Sequence, residues 1–261
     1  MEKPLKLEMK ENIAILTLNR PKAFNAFNHE VVEPLTRNLM SITKDPDVDG
    51  VVITGEGKAF CAGGDLKWLS KYEKSRSEPF HNLAALFHQG ILEIRRMPKP
   101  VVAAINGFAA GGGFSLALAC DFRVMETSAT LLQGYTSNGL SIDGGGTFTL
   151  PRIVGLARAM EIVAFDRPIP AEKALSWGLI TKVVEDGKSL EESLNLIREI
   201  LKRPLSSFAA SKRLLGESFQ VPLEVELERE REALAWCAEH PNGIEGIQAF
   251  LEKRKPRYNA R

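Results

Sequence analysis

A short apolar run followed by three consecutive glycines constrains this chain more than any other feature. The run from Val101 to Ile105 is apolar and partly β-branched, which predicts a buried strand. The pattern stops at Asn106-Gly107, and Gly111 to Gly113 then open an apolar helix through Ala119. Because glycine has no Cβ, a ligand can approach the N–H groups of the first helical turn, which have no intrahelical acceptor. These glycines favour two interpretations equally, a helix–strand packing site or an oxyanion site.

A second strand-to-glycine turn lies earlier in the chain. Val51 to Thr54 has a buried-strand pattern, and the loop after it contains Gly63 and Gly64. Asp65 is expected mainly to cap the helix that begins at Leu66, because aspartate accepts hydrogen bonds from the N–H groups of a first helical turn. Two such turns can hold one carbonyl oxygen between their free N–H groups, and donors aimed at a developing oxyanion lower a reaction barrier. The two turns together favour the oxyanion interpretation.

Six segments follow one another along the chain: Asn19 to Ala26, Ala59 to Asp65, Lys99 to Gly113, Gly145 to Thr147, Trp177 to Leu179 and Phe250 to Lys255. Together they resemble the crotonase superfamily, also called the enoyl-CoA hydratase/isomerase family. The resemblance implies an α/β fold with a crotonase-type spiral core of ββα units over residues 1–200. It also implies a helical C-terminal region over residues 201–261 that packs in a homotrimer or a dimer of trimers. The thioester oxygen of an acyl-CoA substrate is then expected between the N–H groups of Gly64 and Gly112.

Composition agrees with this interpretation and disfavours other classes. There are 34 Lys and Arg residues against 33 Asp and Glu, so the net charge of +1 indicates no nucleic-acid or membrane partner. No apolar run reaches the roughly 18 residues that a membrane span needs. The first ten residues have no apolar signal-peptide core, and the three cysteines fit a reducing cytoplasm. No Cys, His or carboxylate spacing indicates a metal site, and we expect no cofactor apart from the coenzyme A of the substrate.

Strands and helices alternate in the first half of the chain, and the second half is mostly helical. Periodicity predicts a helix over residues 28–43 with Asn28 as its N-cap. The predicted strands lie at 13–18, 50–54, 101–105, 121–125 and 180–184. The predicted later helices lie at 144–154, 156–165, 171–176, 188–202, 205–217, 222–238 and 243–252. The rhythm of the first half is that of an α/β fold.

Both carboxylates that hydratases of this family use are missing. In those hydratases two glutamates hold one water molecule, and the matching positions here are Ser115 and Tyr135. The simple enoyl-CoA isomerases of the family keep the second glutamate. Because Tyr135 stands at that position here, their mechanism is not expected for this chain. Tyr135 either hydrogen-bonds the substrate or lines the pocket.

Asp143 is the remaining carboxylate candidate, eight residues after Tyr135. Family members with an aspartate at this place include ring-epoxide and dienoyl-CoA isomerases and an aryl-CoA dehalogenase. Asp143 is therefore expected to move protons. Alternatively, Asp143 caps a helix that begins at Gly144, and capping and proton transfer are compatible in one residue.

His88 is the second polar candidate. The segment Ala84 to Ile91 resembles that of the dehalogenase, in which a histidine at this place activates water for hydrolysis of an aspartyl ester. The tryptophan that assists in the dehalogenase corresponds to Tyr135, so the match is incomplete. A histidine on a helix with an apolar face is also commonly structural, and both interpretations stay open.

The resemblance also implies which residues hold coenzyme A. Lys22 is expected to bind a phosphate of coenzyme A, and Ala62 and Leu66 are expected to flank its adenine ring. Gly64 is expected to contact the thioester. Lys253 resembles a lysine that reaches coenzyme A from a neighbouring subunit. Its alternative is a solvated lysine at a basic helix end.

We therefore expect an acyl-CoA isomerase in which Asp143 moves a proton between carbons of the acyl chain or ring. One alternative is a hydrolase or dehalogenase with Asp143 as nucleophile and His88 as base, and another is an atypical hydratase. A non-catalytic acyl-CoA-binding scaffold is the alternative outside catalysis, and the near-neutral charge disfavours an RNA-associated version. The acyl group is expected to be selected by residues 71–86 and by the C-terminal helices.

Overall fold

The computed structural model describes residues 3–72, 75 and 77–259. Its strands are β1 Leu5–Lys10, β2 Ile13–Leu18, β3 Gly50–Gly55, β4 Ala59–Cys61, β5 Val101–Ile105, β6 Phe108–Ala110, β7 Phe122–Glu126, β8 Thr130–Leu132, β9 Ile169–Pro170 and β10 Lys182–Val184. Its helices are α1 His29–Lys44, α2 Leu66–Leu69, α3 Ser77–Arg96, α4 Gly112–Ala119, α5 Gly146–Val154, α6 Leu156–Phe165, α7 Ala171–Ser176, α8 Ser189–Ile200, α9 Leu205–Glu217, α10 Leu223–Glu239 and α11 Pro241–Leu251.

The larger sheet has six strands in the order β1-β2-β3-β5-β7-β10. Only β1 and β2 pair antiparallel, and the other neighbours are parallel. Every residue of β3 and β5 is buried, because helices cover both faces of a parallel sheet. The predicted strands at 50–54 and 101–105 are confirmed, and the mixed α/β fold class is confirmed with them. The prediction at 180–184 is too long, because β10 begins only at Lys182.

The smaller sheet has the order β4-β6-β8-β9 and brings the two glycine turns together. Strand β4 pairs parallel with β6, with Ala59 opposite Phe108 and Cys61 opposite Ala109. The carboxyl ends of parallel strands lie at the same edge of a sheet. The glycine loop after β4 and the glycine turn after β6 therefore emerge side by side.

The helices follow the predicted pattern with one correction that concerns the site. The Asn28 side chain accepts a hydrogen bond from the Val31 N–H at 3.2 Å, so the predicted N-cap of α1 is confirmed. The prediction of a helix that begins at Gly144 is wrong, because α5 begins at Gly146. Gly144 and Gly145 have positive φ angles of 63° and 75°, and this left-handed backbone cannot continue a right-handed helix.

The C-terminal helices leave many apolar side chains exposed. On α10 and α11 these are Leu223, Val225, Leu227, Leu234, Trp236, Ile244, Ile247, Phe250 and Leu251. Helix α8 ends at Ile200, where the sequence places the division between core and C-terminal region, and that division stays a prediction. Within the described residues, no helix combines the length and the apolar character that a membrane crossing needs.

A buried ion pair joins α9 to the core. The Lys212 ammonium donates to Asp121 Oδ2 at 2.7 Å and to the carbonyl oxygens of Ile94 and Lys99 at 2.9 and 3.1 Å. Asp121 also accepts from the Val101 N–H at 2.9 Å. The two charged side chains are only 8% and 10% exposed. Each charge therefore depends on the other, because water reaches neither of them well.

Replacement of Lys212 by methionine is expected to lower the free energy of unfolding by about 3–5 kcal/mol, because the Asp121 carboxylate stays buried without its cation. Urea denaturation measures the loss. Lys202→Met is the matched control, since Lys202 is exposed in the turn after α8. Equal unfolding midpoints for the two variants would contradict this assignment.

Candidate active site

The two glycine turns contact each other through their backbones. A Cβ on Gly63 would lie 2.9 Å from the Ala110 carbonyl oxygen and 3.0 Å from the Gly112 nitrogen. Gly63 and Gly111 also have positive φ angles of 88° and 51°, which L side chains rarely adopt. Glycine is required at both positions, and it allows the two turns to lie at van der Waals distance.

The turns present two main-chain donors, Gly64 and Gly112. The Phe27 N–H donates to the Gly63 carbonyl at 2.7 Å and the Asp65 N–H to the Phe27 carbonyl at 2.9 Å, so the loop is fixed on both sides of Gly64. Gly112 is the first residue of α4, and an N–H at this position has no intrahelical acceptor. In the described part of the chain no hydrogen bond engages either N–H. Both glycines border the same cavity.

This cavity has a volume of about 650 Å³, and its walls are mainly apolar. The Phe27 and Phe87 rings pack together with their centroids 4.9 Å apart. Further apolar side chains on the wall are Val32, Leu69, Phe80, Leu83, Leu140 and Ile142. A few polar groups interrupt the wall, among them Tyr135 and Asp143. The shape and chemistry suit an apolar group that carries one polarisable oxygen.

Asp143 borders the cavity in the loop before α5, and its carboxylate does not cap that helix. Gly145 precedes the first turn of α5, which has no side-chain cap. The Asp143 carbonyl accepts from Ser115 Oγ at 2.6 Å and from the Gly146 N–H at 3.2 Å. The carboxylate instead contacts His88, with Oδ1 2.5 Å from Nε2. The interpretation of Asp143 as a helix cap is therefore wrong.

Ser115 and Tyr135 are the residues that the sequence resemblance implies at the positions of the two hydratase glutamates. Ser115 is fully buried on α4, and its hydroxyl is used to hold the Asp143 loop. Tyr135 borders the cavity. Burial raises the pKa of Tyr135, and the Ser115 side chain opposes this rise. At neutral pH the phenol is therefore protonated and can only donate or accept a hydrogen bond. Neither this phenol nor the Ser115 hydroxyl can replace a carboxylate as a general base.

His88 lies on α3 outside the set of residues that border the cavity. Ala84 and Phe87 on the same helix do border it. The His88 side chain is 48% exposed, and that of Asp143 is 35% exposed. The structure thus brings together two candidates that are 55 positions apart in the sequence.

The residues expected to hold coenzyme A divide into two groups. Ala62, Gly64 and Leu66 border the cavity. Lys22 and Lys253 are exposed, and neither is among the described residues that border it. Their contacts with coenzyme A stay predictions. Among the described side chains, His, Cys, Asp and Glu form no group of three suited to a metal ion.

Arg20 lies in the segment Asn19 to Ala26, and no function is predicted for it from the sequence. Its guanidinium donates to Asp65 Oδ2 at 2.9 Å and to the Ala26 carbonyl at 2.6 Å. Asp65 also accepts from the Trp68 N–H at 3.0 Å, which confirms it as the N-cap of α2. Burial opposes ionisation of Asp65, but the hydrogen bonds from Trp68 and Arg20 hold its pKa below the usual value. An arginine in the segment 19–26 and an aspartate at the end of the segment 59–65 are the signal that could have indicated this pair.

Cys61 is fully buried between the loop and the core. Its thiol donates to the Asn25 carbonyl at 3.2 Å. Burial raises the pKa of Cys61 to about 12, so it is not a thiolate at neutral pH.

Comparison with known families decides what kind of protein carries this arrangement. The sequence model described as enoyl-CoA hydratase/isomerase matches residues 8–261. The chain belongs to the enoyl-CoA hydratase/isomerase family. It is accordingly an acyl-CoA-processing enzyme, and the resemblance found in its sequence motifs is confirmed.

Relatives of this enoyl-CoA hydratase/isomerase family member span its full length. It is 35% identical over 253 residues to a crotonyl-CoA hydratase of Syntrophomonas wolfei, with 97% of this chain and 96% of that protein covered. It is 31% identical over 254 residues to 1,2-epoxyphenylacetyl-CoA isomerase of Escherichia coli, with 97% of each covered. The crystal structure of an enoyl-CoA hydratase from a Polaromonas species matches with a TM-score of 0.93 at 38% identity, covering 98% of this chain and 99% of that one. The relatives thus include both hydratases and isomerases.

Replacement of Gly112 by proline is expected to lower kcat on an accepted acyl-CoA at least about 100-fold, because it removes one oxyanion donor. Proline is tolerated at the first position of a helix, so the fold should survive. Gly112→Ala is the matched control: its Cβ would meet the Phe27 ring at 3.0–3.1 Å, as that of proline does, but the N–H stays. Equal kcat values for the two variants would exclude Gly112 as a donor. Affinity for coenzyme A should change little in either.

Proposed function

We propose that this enzyme isomerises an acyl-CoA thioester, with Asp143 as the acid and base that moves a proton along the acyl chain or ring. One observation carries the proposal. Asp143 borders the same cavity as Gly64 and Gly112, whose N–H groups have no acceptor among the described residues. The family resemblance supports the proposal, because it implies Ser115 and Tyr135 at the positions of the two hydratase glutamates.

The reaction begins with the thioester oxygen between the N–H groups of Gly64 and Gly112. These donors stabilise negative charge on the oxygen, which makes the α-carbon acidic. The Asp143 carboxylate then takes a proton from the α-carbon, and the electron pair of the C–H bond moves into an enolate-like intermediate. Protonated Asp143 returns a proton to a second carbon of the acyl group, and the double bond or ring is rearranged. No electrons are gained or lost overall, so coenzyme A enters only as part of the substrate.

Hydration is disfavoured because it needs a base that activates water. The Ser115 hydroxyl donates to the Asp143 carbonyl at 2.6 Å and is occupied there. Burial raises the pKa of Tyr135, so its phenol stays protonated at neutral pH. A hydratase that used Asp143 alone would require a different placement of water.

The acyl group is proposed to be apolar, because phenylalanine and aliphatic side chains form most of the cavity wall. The segment 71–86, which is expected to select the acyl group, contributes Ser77, Leu83 and Ala84 to the cavity wall. Residues 73, 74 and 76 of that segment lie outside the described residues.

Hydrolysis or dehalogenation is the second candidate, favoured by the 2.5 Å contact between His88 Nε2 and Asp143 Oδ1. In this reaction Asp143 would attack a ring carbon, and the halide would leave with its bonding electrons. His88 would then take a proton from a water molecule that attacks the aspartyl ester carbonyl. The hydroxylated product and the free carboxylate would be released. A covalent adduct on Asp143 is specific to this candidate.

Incubation with a panel of CoA esters, followed by mass spectrometry, separates the candidates. An isomerase leaves the mass of the ester unchanged, a hydratase adds water, and a dehalogenase exchanges halogen for hydroxyl.

Asp143→Asn is expected to lower isomerase turnover roughly 100-fold or more, because asparagine cannot carry a proton at neutral pH. Full activity of the folded variant would refute the proposal. Binding by isothermal titration without any turnover would instead indicate a scaffold.

We further propose that the protein is a homotrimer or a dimer of trimers in the cytoplasm. The apolar side chains exposed on α10 and α11 support an assembly, because a second subunit would cover them. Leu234, for example, is 73% exposed. The described cysteines are free thiols, which suits a reducing compartment. Lys253, two residues after the end of α11, is proposed to reach coenzyme A in a neighbouring subunit.

Sedimentation is expected to show a species of three or six times the 28.8 kDa chain mass. Lys253→Gln should weaken coenzyme A binding about tenfold in the assembly, because it removes one charge-assisted phosphate contact. Lys255→Gln is the matched control two residues further along. A stable, active monomer would contradict the assembly, and equal affinities of the two variants would contradict the contact from Lys253.

A further inference from the structure

Asp143 lies between the cavity and the His88 side chain. Asp143 is one of the residues that border the cavity. His88 Nε2 lies 2.5 Å from Oδ1, and His88 is not among the described residues that border the cavity. The His88 side chain is 48% exposed. The imidazole therefore connects the carboxylate with water outside the cavity.

Packing of α3 against the loop before α5 holds this contact in place. A Cβ on Gly144 would lie 2.4 Å from Phe87 Cε1, and one on Gly145 would lie 3.5 Å from Ile91 Cγ2. His88 lies between Phe87 and Ile91 on the same helix. The loop that carries Asp143 is thus pressed against the stretch of α3 that carries His88.

The pair has no competing hydrogen bonds in the part of the chain that the structure describes. His88 is the only described partner of the Asp143 carboxylate, and no protein group there hydrogen-bonds His88 Nδ1. A bound acyl group would cover the cavity side of the carboxylate. His88 would then be the remaining route for a proton to bulk water. Imidazole suits this function because it gains and loses a proton readily near neutral pH and exchanges its N–H protons with water.

We propose that His88 relays protons between Asp143 and bulk water during catalysis; this rests on the isomerase function proposed above. After Asp143 has taken the proton from the α-carbon, it passes that proton to Nε2 of neutral His88. The Nε2–H of this exposed imidazolium then exchanges with water, which takes up the substrate-derived proton and supplies a solvent proton to the same nitrogen. Nε2 gives the solvent proton to Asp143, which protonates the second carbon. Each step moves one proton, and no bond other than those to hydrogen changes.

The relay has a measurable consequence for the hydrogen that reaches the second carbon. Without a relay, Asp143 returns the proton that it has just removed. With a relay, the returned proton comes from the solvent. Isomerisation in D2O therefore separates the two cases, and the readout is the number of deuterium atoms per product molecule, which does not depend on the rate.

The wild-type product is expected to carry solvent deuterium at the newly protonated carbon. In His88→Gln the amide can still donate a hydrogen bond to Asp143 but cannot carry a proton, so deuterium per product molecule should fall at least about fivefold. His29→Gln is the matched control, because it removes an imidazole at the start of α1 that is not among the described residues bordering the cavity. The deuterium content of its product should equal that of the wild type. In His88→Ala, added imidazole should restore the incorporation of deuterium.

Two results would overturn the relay: a wild-type product without solvent deuterium, or a His88→Gln product with the wild-type deuterium content. A fall in turnover of His88→Gln with unchanged deuterium content would also overturn it and indicate a positioning residue. The proposed function has a separate test, since full isomerase activity in Asp143→Asn refutes it. An inactive Asp143→Asn variant together with unchanged labelling in His88→Gln leaves the isomerase and removes only the relay.

Discussion

The contact between the loop after β4 and the turn after β6 is the constraint on which the site depends. It requires that these strands lie parallel and adjacent, and that backbone meets backbone without side chains between them. Gly113 shows how close the approach is, because a Cβ there would lie 2.1 Å from the Cys61 carbonyl oxygen. Any other residue at this position would push α4 away from β4. The N–H groups of Gly64 and Gly112 would then no longer be placed to bind the one oxygen proposed for them.

Polarisation of the substrate and movement of protons are assigned to different parts of the chain. The first is expected from main-chain N–H groups, which every substitution except proline retains. The second depends on the side chains at Ser115, Tyr135, Asp143 and His88. A change of reaction therefore needs new side chains at a few positions but no new oxyanion site. This division is consistent with relatives that are named hydratases and isomerases at similar identity to this chain.

The sequence predicted the fold where burial is continuous and failed where elements are short. Strands β3 and β5 are buried throughout and were predicted correctly. Strands β4, β6 and β8 have three residues each, too few for a sequence pattern. The start of α5 was predicted two residues early, because glycines with positive φ were read as helical. Asp143 and His88 were found as candidates through the family resemblance. Their direct contact could not be predicted, because it depends on how α3 packs against a distant loop.

The hydroxyl of Ser115 has a mechanical consequence that follows from its place on α4. Gly112 and Ser115 belong to the same helical turn, so one end of that turn carries the proposed oxyanion donor and the other holds the Asp143 carbonyl. Any displacement of this turn would therefore move the proposed donor and the Asp143 loop together. The distance between the two proposed reacting groups would then change less than the shape of the cavity around them.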